Sequence, residues 1–201
     1  MPRRPAIDPE GLYHIGSRGT YGRPLFRSVD EHELFLWLFA RTARKYRWET
    51  LAWVLMKNHH HFVIRLTEGG LSEGLRIVHG GYSRRIHERY AQTRKGHLFR
   101  HAFFARQLQD AEDVIWTCAY VDANPGRHRA NPNPRASDWC GYAAALGRKH
   151  PRRFHSPSAL LELIDSDPRR ARAQYRELVA NRHALERHGP SPNDGSSVRF
   201  A

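Results

Sequence analysis

Trp48-Glu-Thr-Leu-Ala-Trp-Val-Leu55, Met56-Lys-Asn58 and His59-His-His-Phe-Val-Ile-Arg-Leu66 form the stretch on which the fold turns. Two apolar runs flank a short break containing Lys57 and Asn58, which predicts two strands joined as a hairpin. Upstream, Leu12–Ser17 alternates apolar and polar residues and reads as a strand, with Gly16, Gly19 and Gly22 marking a turn behind it. Ser28-Val-Asp-Glu31 is a capping-box signature. It opens a helix to about Tyr46, with Leu34, Phe35, Leu38, Phe39, Ala43 and Tyr46 on its buried side. Downstream, Ser72 to about Tyr90 has helical spacing, and Gly80-Gly81 is expected to weaken or bend that helix. His97–Leu108 reads as a fourth, Phe-rich strand. Asp110 then caps a short helix carrying Val114, Ile115, Cys118 and Tyr120. The order β-α-β-β-α-β predicts an α+β, ferredoxin-like fold, an antiparallel sheet with two helices on one face, followed by a further helix.

Beyond Asn124 the composition changes. Asn131-Pro-Asn-Pro134 reads as a loop or linker, and Ser156-Pro157 starts a polar helical region with Leu160, Leu161 and Leu163 as its apolar segment. A further helix is expected over Ala171–His183, with Tyr175, Leu178 and Val179 inside. From Gly189 the chain is rich in Pro, Ser, Asn and Gly and is expected to be mobile. The expected organisation is therefore a domain over 1–145 and a basic helical extension over 146–201 with a mobile tail.

Length and composition exclude several classes. The chain has 201 residues, 40% hydrophobic, enough for a packed core. No run approaches the roughly 20 apolar residues that span a bilayer, so no membrane partner is expected. Met1-Pro-Arg-Arg-Pro5 runs into Asp8 and Glu10 without an apolar segment, which predicts a cytoplasmic protein. Cys118 and Cys140 are the only cysteines, too few for a disulfide scaffold or an all-cysteine zinc site.

Charge is the first positive sign of function. Lys and Arg number 33 against 20 Asp and Glu, a formal net charge of +13, and only four of the cations are lysine. Guanidinium groups suit bidentate phosphate contacts. Counterion release makes nucleic acid the partner class that rewards this excess.

Two local features carry chemistry. In Asn58-His59-His60-His61-Phe62, alternation along a strand puts His59 and His61 on one face and His60 on the other. Two imidazoles about 7 Å apart at their Cα atoms can converge on one metal ion. The second feature is Tyr120-Val-Asp-Ala-Asn124-Pro125. Four residues separate Tyr120 from Asn124, so they share a helical face, and Pro125 ends the helix at Asn124. A phenol beside a metal-held phosphate can attack it, and the Asn124 amide can complete the coordination. A buried tyrosine with a satisfied hydroxyl and a helix-ending asparagine are the structural alternatives.

Tyr13-His-Ile-Gly-Ser-Arg-Gly19, Leu55-Met-Lys-Asn-His-His-His-Phe62, Gly96-His-Leu-Phe99 and Tyr120-Val-Asp-Ala-Asn-Pro125 occur in this order, followed by Ser137-Asp-Trp-Cys-Gly-Tyr142. Together they resemble the single-tyrosine HUH transposases, and within them the REP-associated tyrosine transposases, over about residues 12–145. The resemblance implies a ferredoxin-like nuclease domain, a divalent ion (Mg²⁺ or Mn²⁺) held by His59 and His61, and Tyr120 as nucleophile. There are departures. His60 stands where the family has a bulky hydrophobic residue, which also permits a register in which His60 coordinates. Lys57 replaces the usual proline. The basic residue of the Gly96 block is displaced to Arg100, and Gly126-Arg-His-Arg129 replaces an apolar continuation.

The activity this implies is cleavage and strand transfer on single-stranded or hairpin DNA, including REP-type palindromes, through a 5′-phosphotyrosine. His14 is expected near the site, and Arg18, Lys57, Arg65, Arg84, Arg85 and Arg100 as phosphate contacts, with the protein a monomer or homodimer. Three other readings stand beside it: a catalytically idle, domesticated hairpin-DNA-binding protein, an RNA-binding ferredoxin-like module stacking bases on Phe99, Phe103 and Phe104, and a metal-dependent hydrolase that uses water.

Overall fold

In the computed structural model, which describes residues 7–91, 96–100, 103–127, 138–185 and 198–200, the expected hairpin is present. Strands β1 (Leu12–Arg18), β2 (Glu49–Met56) and β3 (His59–Arg65) lie side by side with β3 central. β3 pairs antiparallel with β2, Trp53 opposite Phe62, and antiparallel with β1, Gly16 opposite His61. Strand β4 (Phe103–Leu108) pairs antiparallel with the far side of β1. The order β2-β3-β1-β4 is the ferredoxin-like one. The fourth strand is shorter than expected. Phe99 makes only an isolated bridge to Gly19, and Leu98 and Arg100 bond to the end of β1 and the turn after it.

Helix α1 (Val29–Lys45) starts where the capping box predicts: the Ser28 hydroxyl accepts from the Glu31 amide at 3.3 Å. The Glu31 carboxylate reaches back to the Arg27 amide at 2.7 Å. Helix α2 (Leu71–Arg89) runs through Gly80-Gly81, where weakening or bending is expected, as one continuous helix. Packing explains this in part. A Cβ on Gly81 would lie 3.3 Å from Leu38 of α1, so a small residue there lets the two helices close. The tertiary contact outweighs a propensity cost of about 1 kcal/mol.

Helices α1 and α2 cover one face of the sheet. Phe35, Phe39, Phe62, Ile64, Val78 and Tyr82 are fully buried there. Helix α3 (Ala111–Ala123) covers the other face, its first turn capped by the Asp110 side chain at 2.8 Å from the Asp113 amide. Short helices α4 (Tyr142–Ala145) and α5 (Pro157–Leu161) and the longer α6 (Pro168–Leu185) complete this second layer. Leu160, Leu161, Ala171, Tyr175 and Val179 are buried in the same cluster as Val54, Val63 and Cys118. Alternation along the strands separates the layers: Phe62 and Ile64 face α1 and α2, whereas His61 and Val63 face α3.

The late aromatic segment borders β2. The Leu55 amide donates to the Trp139 carbonyl and the Gly141 amide to that of Trp53. Val198–Phe200 forms β5 against β4. An unpaired strand edge offers a row of backbone donors and acceptors, and Val-Arg-Phe has the alternation to use it. The linker expected at Asn131–Pro134 and most of the tail lie outside the described residues. Among the described residues no helix is long and apolar enough to cross a membrane.

Candidate active site

Strand alternation brings the site together. His59 and His61 leave β3 on the α3 face, with ring centroids 5.2 Å apart. His14, on the adjacent β1, projects to the same face, and its Nε2 lies 3.0 Å from His61 Nδ1. Tyr120, on the buried side of α3, places its ring 5.8 Å from both the His14 and the His61 ring. Tyr120 is 6% exposed and His61 5%. Phe104 of β4 packs edge-on against His14 at 5.0 Å and closes the cluster on one side.

The register is held by Gly16, directly opposite His61. A Cβ there would lie 2.5 Å from Phe104, 2.6 Å from the His60 carbonyl and 2.9 Å from His61 Nδ1. Only glycine leaves the His61 ring room across β1. Helix α3 is oriented by an ion pair from the sheet. Arg106 of β4 makes two 2.9 Å bonds to the Asp113 carboxylate and a 2.8 Å bond to the Thr117 hydroxyl.

Burial keeps the His14 and His61 imidazoles neutral. Burial, with the Arg106 charge adding to it, lowers His14 to about 3. Burial likewise holds His61 well below the ordinary histidine value, reinforced by His14, His59 and His60 and by the Arg18 charge. A neutral imidazole is the form that ligates a metal. His59 Nδ1 donates to Asn58 Oδ1 at 2.8 Å, which fixes the tautomer with its lone pair on Nε2. His61 Nδ1 faces His14 Nε2, and the tautomer of the pair sets which nitrogen donates. Each ring thus has an outer partner on Nδ1, the arrangement that orients metal-binding histidines, and His61 presents an Nε2 lone pair in the tautomer where its Nδ1 donates to His14. The donor chemistry therefore fits a divalent ion with two nitrogen ligands. Among the described residues no group of three or more His, Cys, Asp or Glu side chains is arranged to hold a metal.

Asn124 follows α3 directly and is buried. Its amide nitrogen donates to the Tyr120 carbonyl at 2.9 Å and more weakly to that of Val121 at 3.4 Å. This is a helix-end cap, and it leaves Oδ1 as the atom that can ligate.

The cationic candidates divide into two sets. Arg18 lies opposite His59 in the β1–β3 register, Lys57 is exposed in the β2–β3 turn, and the Arg100 amide bonds to the Arg18 carbonyl at 2.8 Å. These three stand at the His59 end of the sheet. Arg65 is six residues further along β3, roughly 20 Å away, where it pairs with Glu49. Arg84 and Arg85 are on α2, across the sheet. His60 points to that other face, its Nε2 3.1 Å from His79 Nε2 and its ring 4.8 Å from that of Phe35.

Several site features had no assigned role in the sequence reading. Gly16 was legible in principle, because an isolated glycine inside a strand pattern signals close approach. Arg182 of α6 was not: its guanidinium lies 5.8 Å from the ring centroids of both Tyr120 and Trp116. Nor was the buried network behind α3. There the Tyr175 hydroxyl donates to Asp122 Oδ2 at 2.8 Å and Cys140 Sγ lies 3.5 Å from Oδ1. Burial raises Asp122 to about 7 despite these bonds.

Comparison with known proteins bears on this frame. The family model described as "Transposase IS200 like" matches residues 10–124. No curated protein matches the sequence. A solved structure titled "Structure of the REP associates tyrosine transposase bound to a REP hairpin" is similar with a TM-score of 0.63, over 74% of this chain and 86% of that one, at 15% identity. At that identity the likeness is one of fold. The family match, by contrast, spans more than half of the sequence, from just before β1 to the asparagine that ends α3, and on that ground the chain belongs to the IS200-like transposase family.

Proposed function

We propose that this transposase cuts and rejoins single-stranded or hairpin DNA by transesterification, with Tyr120 as the nucleophile. The observation that carries the reading is the placement of the Tyr120 ring 5.8 Å from both His14 and His61, on the sheet face that also holds His59. The Tyr120 oxygen attacks the scissile phosphorus and the bond from phosphorus to the 3′-oxygen breaks. The products are a 5′-phosphotyrosine and a 3′-hydroxyl, the phenolic proton being balanced by the one the 3′-oxygen gains. A 3′-hydroxyl reverses the step by attacking the same phosphorus, so no nucleotide cofactor is consumed.

His59 and His61 would hold a divalent ion, Mg²⁺ or Mn²⁺, with Asn124 Oδ1 as third protein donor. When bound, such an ion supplies positive charge to the phosphate oxygens. The remaining work falls to the chain itself. His14 and Asn58 orient the two ligating rings, and the Arg106–Asp113 pair sets α3 against the sheet. Arg18, Lys57 and Arg100 supply cationic contacts to the strand entering at the His59 end. The similarity in fold to a transposase bound to a REP hairpin supports a hairpin substrate.

The test is incubation with labelled hairpin DNA and Mn²⁺, followed by denaturing electrophoresis. The wild type is expected to give a protein–DNA adduct. Tyr120→Phe removes only the hydroxyl, so the adduct should vanish while hairpin binding survives. An adduct that persists in Tyr120→Phe assigns the nucleophile elsewhere. Cleavage without an adduct favours an activated water, and binding without cleavage favours the idle hairpin-binding reading.

A further inference from the structure

A large open concavity lies on the face away from Tyr120. It is a groove of about 1570 Å³ between the outer sides of α1 and α2, closed at one end by the segment around Arg153 and Phe154. Eight cations line it and no acidic residue does. Two of the eight are neutralised from outside, Arg47 by Glu68 and Arg76 by Glu73. The other six, Arg41, Arg44, Lys45, Arg84, Arg85 and Arg153, form no ion pair among the described residues. Six like charges sharing one groove repel each other and lower stability unless an anion accompanies them.

Two further features shape the groove for a polyanion. Trp37, 46% exposed, bridges the helices: the Arg41 guanidinium of α1 lies 4.6 Å from its ring centroid and that of Arg85 on α2 5.4 Å. The indole thereby holds two forks in place, and with guanidinium groups over it the ring is a poor platform for a base. The second is Gly80. Unlike Gly81, it has no atom within 4 Å of a Cβ built on it, so packing gives no reason for a glycine in mid-helix. Its effect is to leave the groove floor bare, where another chain's backbone can come close.

We propose that this groove binds the phosphate backbone of duplex DNA, as a second DNA contact across the sheet from the cleavage site. Guanidinium pairs without an available aromatic face read charge and phosphate spacing, not base identity, so binding is sequence-independent. A double helix carries one phosphate per about 1.7 Å of its axis, a dense and regular row of anions that complements such a channel. A hairpin stem or a flanking duplex would thus be gripped on α1 and α2. The inference extends the proposed DNA function but does not depend on the tyrosine chemistry, because the measurement needs neither metal nor cleavage.

The experiment is fluorescence anisotropy of the full chain with a labelled mixed-sequence duplex, in chelator, between about 50 and 200 mM salt. Arg41→Gln/Arg44→Gln/Arg85→Gln removes three charges while keeping good helix formers. Its plot of log affinity against log salt should be shallower by about 2.7, so that the same salt increase costs it roughly 40-fold less affinity than the wild type. Gly80→Leu should bind the duplex more weakly while melting at or above the wild-type temperature, because leucine fills the floor and favours the helix. Poly-glutamate and phosphatidylserine vesicles are run in parallel. Wild-type duplex affinity and salt slope in a folded triple variant overturn the proposal. Loss confined to poly-glutamate or to vesicles reassigns the groove to an acidic protein or to a lipid surface.

Discussion

His60 and His61 are neighbours in sequence, and each approaches a second histidine, yet the two pairs do different work. On the α1/α2 face, His60 meets His79 at 3.1 Å within a shell of Phe35, Phe62 and Phe99. His60 Nδ1 is buried there without a hydrogen-bond partner, and burial holds the ring neutral. On the α3 face, His61 meets His14 at 3.0 Å, but its neighbours include a third histidine, His59, and Tyr120. Residue type and burial are alike on the two faces. The difference is what stands opposite: aromatic packing against one pair, a phenol and a third imidazole against the other.

Substitutions can break this contrast or sharpen it. The largest effect is expected on cleavage from His59→Ala or His61→Ala, which should abolish adduct formation at any Mn²⁺ concentration. His60→Ala should instead cost about 2–3 kcal/mol of stability through the cavity it opens, with cleavage per folded molecule retained. Denaturant melts alongside single-turnover assays separate the two. Equal loss of cleavage at His60 would move the ligand role onto that residue and erase the distinction between faces.

Gly16→Ala comes next. The added methyl collides with Phe104, the His60 carbonyl and the His61 ring. Displacing His61 by about 1 Å is expected to slow cleavage roughly 10²-fold, with a stability loss of about 1–3 kcal/mol. A variant that melts lower but cleaves at the wild-type rate would show that the His61 position tolerates movement. Asn124→Ala is a smaller change. As a ligand, Asn124 should raise the Mn²⁺ concentration for half-maximal cleavage about tenfold; an unchanged Mn²⁺ dependence leaves it as a helix cap alone.

Acid–base behaviour gives the mildest test. His14 has its pKa lowered from 6.5 to about 3 on folding, so the unfolded chain binds the extra proton between those values. Stability from this residue is present above pH 6.5 and falls as the pH drops through that window. Asp122 has the opposite sign. Its pKa rises from 3.8 to about 7, so the folded chain holds the extra proton and stability falls as the pH rises between those values. Asp122→Asn should therefore remove this loss between about pH 4 and 7, so that stability rises more steeply with pH across the window where His14 acts in the opposite sense. Thermal melts of both proteins from about pH 4 to 9 read the difference, and an unchanged slope between about pH 4 and 7 would mean that Asp122 is ionised when folded.

Much of the frame was legible locally. The hairpin at 48–66, the capping box at Ser28 and the Asp110 cap each rest on interactions between residues a few positions apart. Strand alternation alone separates His60 from His59 and His61, and helical spacing alone pairs Tyr120 with Asn124. The long fourth strand did not survive, because strand length depends on pairing between distant segments. The continuity of α2 through Gly80-Gly81 has a related origin. Local propensity disfavours it by an amount that contact between α1 and α2 exceeds.

The sequence by itself determined which residue types could do the chemistry and which strand or helix each would occupy, since period and capping act over a few residues. Only the tertiary structure decided that β1 lies beside β3, so that His14 reaches His61 and Gly16 makes room for its ring. It likewise decided that α6 returns Arg182 to the ring of Tyr120, and that Arg41, Arg44, Arg84 and Arg85 share one groove on the far side of the sheet. These contacts join positions tens of residues apart, and their formation depends on burying both faces of one sheet, a condition that no short window of sequence contains.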